Sequence, residues 1–193
     1  MMTETELAAT EELDLRVDRL LQTTCEVARA LANAHQAAMA MIVGGDWSQA
    51  RKYFSLSEKY EQWQDFAMPA RGVGLHALVV AENEALRLTQ TEMEQHPAWL
   101  GYAESAGKHQ PLRGLLAVPI VGEDGLNYGL LQVSDKVDGT DFGIEDERRL
   151  QCLADAAAVG LDALRKVRSL RLGEPAPPAR LEAASRVVVI EQA

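Results

Sequence analysis

The stretch "AVPIVGEDGLNYGLLQVSDK" (residues 117–136) holds two apolar runs joined by Asp124-Gly125. Asp-Gly between apolar runs is a strong hairpin signal, because glycine accepts the positive φ that a tight turn demands. The stretch, with the residues just before it, therefore predicts a strand over 114–121, a turn, and a returning strand over 129–134. Pro119 has no amide hydrogen to donate, so it belongs at an edge or a bulge rather than in the ladder. The returning strand ends in Ser134-Asp135-Lys136, an acid beside a base, and "DFGIEDERRL" (141–150) follows a few residues later.

From Glu145 the apolar period changes. Leu150, Leu153, Ala157, Leu161 and Leu164 fall on one helix face. Glu145, Asp146 and Glu147 crowd its first turn, while Arg165, Lys166, Arg168 and Arg171 occupy its end. Both clusters complement the helix macrodipole, so the basic run reads as helix electrostatics and not as an RNA-binding patch. Near the start of the chain, Leu13, Val17, Leu20, Thr24, Val27 and Leu31 are spaced by alternating fours and threes, with Leu21 and Ala28 widening the stripe. That spacing predicts an amphipathic helix of about five turns. Between the two helices the pattern predicts strands over 37–43 and within 51–60, a helix over 75–83, a strand over 85–88, and a short helix broken at Pro97. The order is helix, strands, helical insert, hairpin, long helix. It describes an α+β domain over 13–172, a central antiparallel sheet flanked by N- and C-terminal helices. A flexible segment over 1–12 precedes it, and a Pro-rich linker and tail over 173–193 follow it.

The 193 residues suffice for one domain and a tail, and 47% hydrophobic composition allows a sizeable core. No apolar run approaches the ~20 residues of a membrane span, and the acidic N-terminus is unlike a signal peptide, so no membrane contact and a cytoplasmic location are expected. A formal charge of −10 argues against direct nucleic-acid contact by this domain. Cys25 and Cys152 both lie in helical stretches and read as buried, inert thiols. Without a CxxC or a Cys/His cluster, no metal site is expected. "GVG" (72–74) lacks the spacing of a phosphate loop, and Ser105, Ser134 and Ser185 lack a nucleophile elbow. His35, His76, His96 and His109 are scattered. No catalytic residue is assigned, and no cofactor.

Three segments in order, "HPAWLGY", "PLRGLLAVPIVGEDGLNYGLLQVSDK" and the acidic-capped helix, resemble bacterial sensory domains of the GAF family. The resemblance covers most of the chain and is strongest from His96 to Leu164. It implies an antiparallel sheet between first and last helices. It also implies a reading of the acid and base at the strand's end: some members carry Asn-Lys, a spacer, then Phe-x-x-x-Asp-Glu. Asp135 and Lys136 stand for the first pair, and Phe142, Asp146 and Glu147 for the second. In the family the Lys and the Asp pair, so this set is expected to be a structural clasp from the last strand to the last helix. Asp135 departs from the Asn usual in members that bind cyclic nucleotides, so the motif does not imply a cyclic nucleotide here. Gly143 stands where Ser or Thr normally caps the helix.

GAF ligands lie between the sheet and the insert, which supplies His76, His96, Trp99 and Tyr102, with Arg113 at the mouth of the next strand. These residues are the candidate small-molecule site. Trp99 and Tyr102 equally suit a plug in the core beneath the loop. The resemblance implies a non-enzymatic regulatory module of bacterial signal transduction, coupled through its last helix to an output domain or a histidine kinase of a two-component system. A free methionine sulfoxide reductase relative is the enzymatic alternative, disfavoured because neither cysteine has electropositive company. Bilin attachment is disfavoured because no Cys stands beside a His. A purely structural dimerisation domain is the third reading. The stripes of first and last helix predict a parallel homodimer joined through both. Finally, "RLEAASRVVVIEQA" (180–193) resembles the start of an ANTAR domain, so the chain also reads as the sensory half of a GAF–ANTAR antiterminator.

Overall fold

A computed structural model describes residues 4–42, 46–64, 72–100 and 111–172. Five strands form one antiparallel sheet: β1 (Ala34–Met41), β2 (Arg51–Leu56), β3 (Leu86–Leu88), β4 (Leu115–Val121) and β5 (Asn127–Lys136), in the order β2-β1-β5-β4-β3. Four α-helices accompany it among the described residues: α1 (Glu4–Leu31), α2 (Leu75–Glu82), α3 (Gln90–Gln95) and α4 (Ile144–Leu172). This is the α+β architecture that the hairpin and the two long helices predict.

β4 shows why its sequence is an unbroken apolar run. Leu116, Val118 and Ile120 enter a core shared with α1 and α4, while Leu115 and Ala117 enter a second core under α2 and α3. A strand buried on both faces has no polar side to alternate with. β3 pairs with β4 only as far as Ala117, and the β4–β5 register shifts at Ile120/Val121. Pro119 therefore sits on an unpaired edge beside a bulge, where its missing donor costs nothing. The Asp124-Gly125 turn closes with Gly125 N–H donating to Gly122 O (2.9 Å) and Gly125 at φ +78°.

Boundaries move where local signals are weak. α1 begins at Glu4 and so takes in residues 4–12, as Ala, Glu and Leu favour. β1 starts at Ala34, three residues earlier than the apolar run alone suggests, because Asn33 turns the chain at φ +48°. α3 is opened by a capping box, Thr89 with Glu92, and stops before Pro97.

α1 and α4 pack on the same face of the sheet and on each other. A Cβ on Gly160 would lie 2.8 Å from Leu20 Cδ2, so α4 has a glycine where α1 presses a leucine. Leu13, Leu21, Ala28, Leu150, Ala157 and Leu161 are buried inside one chain, with Val17, Leu20 and Leu153 packed against them. Val27 and Leu31, at the end of the α1 stripe, stay exposed. The basic end of α4 also does more than answer the macrodipole. Arg168 reaches Asp14 (3.5 Å) and Arg171 reaches Glu12 (3.6 Å) on α1, while Arg165 reaches Asp124 in the β4–β5 turn (2.6 Å). Asp162, 5% exposed, accepts from Tyr128 Oη (2.5 Å) and Glu123 N–H (2.9 Å), completing the bond between helix and hairpin.

Candidate functional site

The face of the sheet away from α1 and α4 carries the insert. β5 crosses the middle of the sheet, and "GLLQVS" sends Leu130, Gln132 and Ser134 to this face. Gln132 is thus a polar side chain on an otherwise apolar floor of Leu115, Ala117 and Leu130. α2 places His76 above it, and His76 Nε2 donates to Gln132 Oε1 across 56 residues of sequence. Ala38, Ala40 and Gln132, all mid-sheet, are partly exposed, so the packing above the floor is incomplete.

The other candidates divide. Trp99 packs against the apolar cluster of Leu75, Val79 and Met93 under α2, as its reading as a core filler expects. His96 is engaged in its own turn: its Nδ1 accepts from Ala98 N–H (3.1 Å), and its carbonyl accepts from Trp99 N–H (2.8 Å). Arg113 has an exposed side chain at the far end of β5, while its main chain bonds Ser134 Oγ and Asp135 N–H (both 2.9 Å). It is not gathered with His76 and Trp99. Tyr102 and His109 lie outside the described residues. Gln132 is not among the sequence candidates, because nothing local sets it apart from Ser134 on the same face of β5.

At the other side of β5 the Lys136 side chain donates to Asp146 Oδ2 (2.9 Å), and the same oxygen accepts from Gly143 N–H (2.8 Å). Asp146, the third residue of α4, therefore supplies the half of a capping box that reaches back to the amide of Gly143. Phe142 is buried, with the Lys136 ammonium 6.0 Å from its ring centre. Glu147 points elsewhere and pairs with Arg87 of β3 (2.9 Å), whose guanidinium also reaches Phe142 O (3.4 Å). Burial pushes the Asp146 carboxyl up, but the Gly143 amide and Lys136 outweigh it and hold it below the ordinary range.

Asp135 does not belong to this clasp. At φ +57° its side chain turns away from Lys136, accepting from Lys59 Nζ (2.5 Å) and Tyr60 Oη (2.7 Å). His35 stands edge-on to Tyr60 and shares a hydrogen bond with Ser57 (2.8 Å). Consecutive residues bond to opposite sides because the left-handed backbone breaks the strand's alternation. Burial raises the Asp135 carboxyl, yet Lys59 and Tyr60 dominate and bring it below its usual value.

The clasp has a measurable consequence. Asp146→Ala removes two charge-assisted bonds and leaves Lys136 unpaired, an expected loss of about 1–3 kcal/mol. The folded carboxyl titrates below its unfolded value of about 3.9, so its contribution is complete above about pH 4. It is lost as pH falls through the lowered folded value. Thermal unfolding from pH 7 to pH 2.5 should show a constant gap between wild type and variant that closes only below pH 4. A gap that persists undiminished at pH 2.5 rules this account out.

The thiols stand away from the insert face. Burial pushes Cys25 on α1 up to about 12, which makes it inert. Cys152 on α4 is exposed, not buried, because the 152 position points off the sheet-facing stripe. Among the described residues no group of three or more His, Cys, Asp or Glu is placed to hold a metal ion, and no helix is long and apolar enough to cross a membrane.

Solved structures share this arrangement. The chain superposes on the third GAF domain of a Synechocystis sp. PCC6803 protein in its photoproduct state, with TM-score 0.61 and 14% identity, covering 80% of this chain and 98% of that one. It matches the GAF domain of a phosphoenolpyruvate-protein phosphotransferase from Coxiella burnetii with TM-score 0.58 and 20% identity, covering 84% and 95%. It matches a type II free methionine-R-sulfoxide reductase from Thermoplasma acidophilum with TM-score 0.58 and 17% identity, covering 79% and 96%. At such identities these likenesses speak for the fold. The family model for the GAF domain matches residues 16–161, most of the chain, from within α1 through the sheet to α4. By fold and by sequence, this chain belongs to the GAF domain family.

Proposed function

We propose that this protein is a non-enzymatic sensory module of bacterial signal transduction that binds a small molecule between the sheet and the insert and reads it out through α4. One observation carries the reading: β5 holds both Gln132, which meets His76 on the insert face, and Lys136, which grips Asp146 at the start of α4. A ligand that competes for the His76–Gln132 bond acts on the same strand that anchors the output helix. His76, Gln132 and Trp99 form the centre of the site, with His96 close to Trp99 in sequence. The module works as a homodimer in the cytoplasm and hands its signal to an output domain or a histidine kinase. The likeness of residues 180–193 to the start of an ANTAR domain supports an RNA-binding output.

Native mass spectrometry of the purified full chain tests the ligand. A retained small molecule is expected, absent from His76→Ala and Gln132→Ala while both variants keep the wild-type melting temperature within a few degrees. If wild type carries no molecule and no compound in a metabolite library raises its melting temperature, the ligand-binding reading fails. Turnover of free methionine sulfoxide that disappears in Cys152→Ala would replace it with the reductase reading.

A further inference from the structure

α4 has two apolar faces, and only one is used within the chain. Leu150, Ala154, Ala157 and Leu161 lie in the core. A second strip consists of Cys152, Ala156, Val159, Ala163, Val167 and Leu170, all exposed, with Val159 70% and Leu170 83% accessible. Its steps of 4, 3, 4, 4 and 3 residues average the 3.6 of a straight α-helix, so the strip runs along one side without winding away. No described residue covers it.

The strip is complementary to itself in one direction only. Set two copies antiparallel about a two-fold axis near residue 161: Cys152 then faces Leu170, Ala156 faces Val167, and Val159 faces Ala163. Every small side chain meets a larger one. Parallel pairing instead sets each residue against its own copy, so alanine faces alanine at 156 and 163 and leaves gaps that packing disfavours. Charge agrees with the antiparallel choice. Asp155 and Lys166 are eleven residues apart, hence within about 20° of each other around the helix, on one flank of the strip. An antiparallel two-fold brings like flanks together, so Asp155 of each copy lies against Lys166 of the other, twice by symmetry. Within the chain these two groups make exposed contacts, Asp155 with Gln151 (2.8 Å) and Lys166 with Glu123 (3.3 Å), which are cheap to exchange. The helix macrodipoles also oppose.

From this we infer that the protein self-associates through the exposed strip of α4 as an antiparallel two-fold pair, centred between Val159 and Ala163. The inference rests on the homodimer in the reading above and names its surface and direction. Arg165, Arg168 and Arg171 stay engaged with the hairpin and α1, so pairing needs no rearrangement of the fold.

Light scattering and thiol cross-linking separate the outcomes. The full chain is expected to be a dimer at micromolar concentration. Val159→Glu should turn it into a monomer with unchanged circular dichroism and melting behaviour, since Val159 touches no core. In the antiparallel pair the two Cys152 residues stand about 27 Å apart along the helix, so oxidation of wild type should give no covalent dimer. Leu170→Cys should give one, through disulfides from Cys152 of each copy to the introduced thiol of the other, and the added Cys152→Ala should remove it. A monomeric wild type overturns both the inference and the homodimer. A Cys152–Cys152 dimer in wild type, no cross-link in Leu170→Cys, or a Val159→Glu variant that stays dimeric overturns the inference and leaves the homodimer standing.

Discussion

Gly129→Ala is expected to destabilise the protein by about 2–6 kcal/mol, the sum of roughly 1–3 for backbone strain and a similar steric cost. Gly129 lies in β5 between β1 and β4 at φ +134°, a conformation foreign to L side chains. A Cβ there would sit 1.9 Å from Ala40 O, a main-chain atom of the neighbouring strand that cannot swing aside. The kink is held by Ile42 N–H donating to Tyr128 O (2.7 Å) and Gly129 N–H donating to Asn127 Oδ1 (2.6 Å). Alanine must either break these bonds or push β1 from β5 at the centre of the sheet. Against a typical total stability of about 5–15 kcal/mol, much of the fold is then lost at physiological temperature. Urea unfolding followed by circular dichroism measures it, and a variant within about 1 kcal/mol of wild type would show that the strands do not approach as described.

Leu161→Lys should unfold the protein rather than dissociate it. Leu161 is 5% exposed among Leu150, Ala154 and Ala157 on the sheet-facing side of α4. A lysine there must bury an ammonium without a partner or lift α4 from the sheet, and such substitutions cost about 4 kcal/mol or more. The expected signs are poor soluble yield and loss of near-ultraviolet circular dichroism. Leu15→Lys is the control: at 68% exposure on α1 it should stay within about 0.5 kcal/mol of wild type. A Leu161→Lys protein that folds normally and only changes from dimer to monomer would place this residue at an interface between chains. Together with Val159→Glu it assigns the two faces of α4, one to the core and one to the second copy.

These expectations mark how far the sequence reads by itself. The β4–β5 hairpin is legible because turn chemistry is local: Asp124-Gly125 determines the bend, and the flanking apolar runs determine where the strands lie. The Lys136–Asp146 contact is legible through the family resemblance and ten residues of separation. Asp135 shows the limit. Its neighbour in sequence is Lys136, yet its partners are Lys59 and Tyr60, more than seventy residues away, because one left-handed residue turns its side chain to the other side of the strand. His76 could be listed as a candidate, but its partner Gln132 could be found only when α2 lay across β5.

The amphipathic stripes make the same point on a larger scale. Their spacing determined that α1 and α4 each bury a face, since leucines three and four apart must share one side of a helix. It did not determine what lies against that face. The sheet order β2-β1-β5-β4-β3 brings α1 and α4 side by side on one surface, so Leu21, Leu150 and Leu161 pack into one core within the chain. Periodicity is a property of the single helix and is written into the residues that form it. The choice of partner depends on which surfaces the assembled sheet brings within contact distance, and that is settled only when strands remote in sequence have paired.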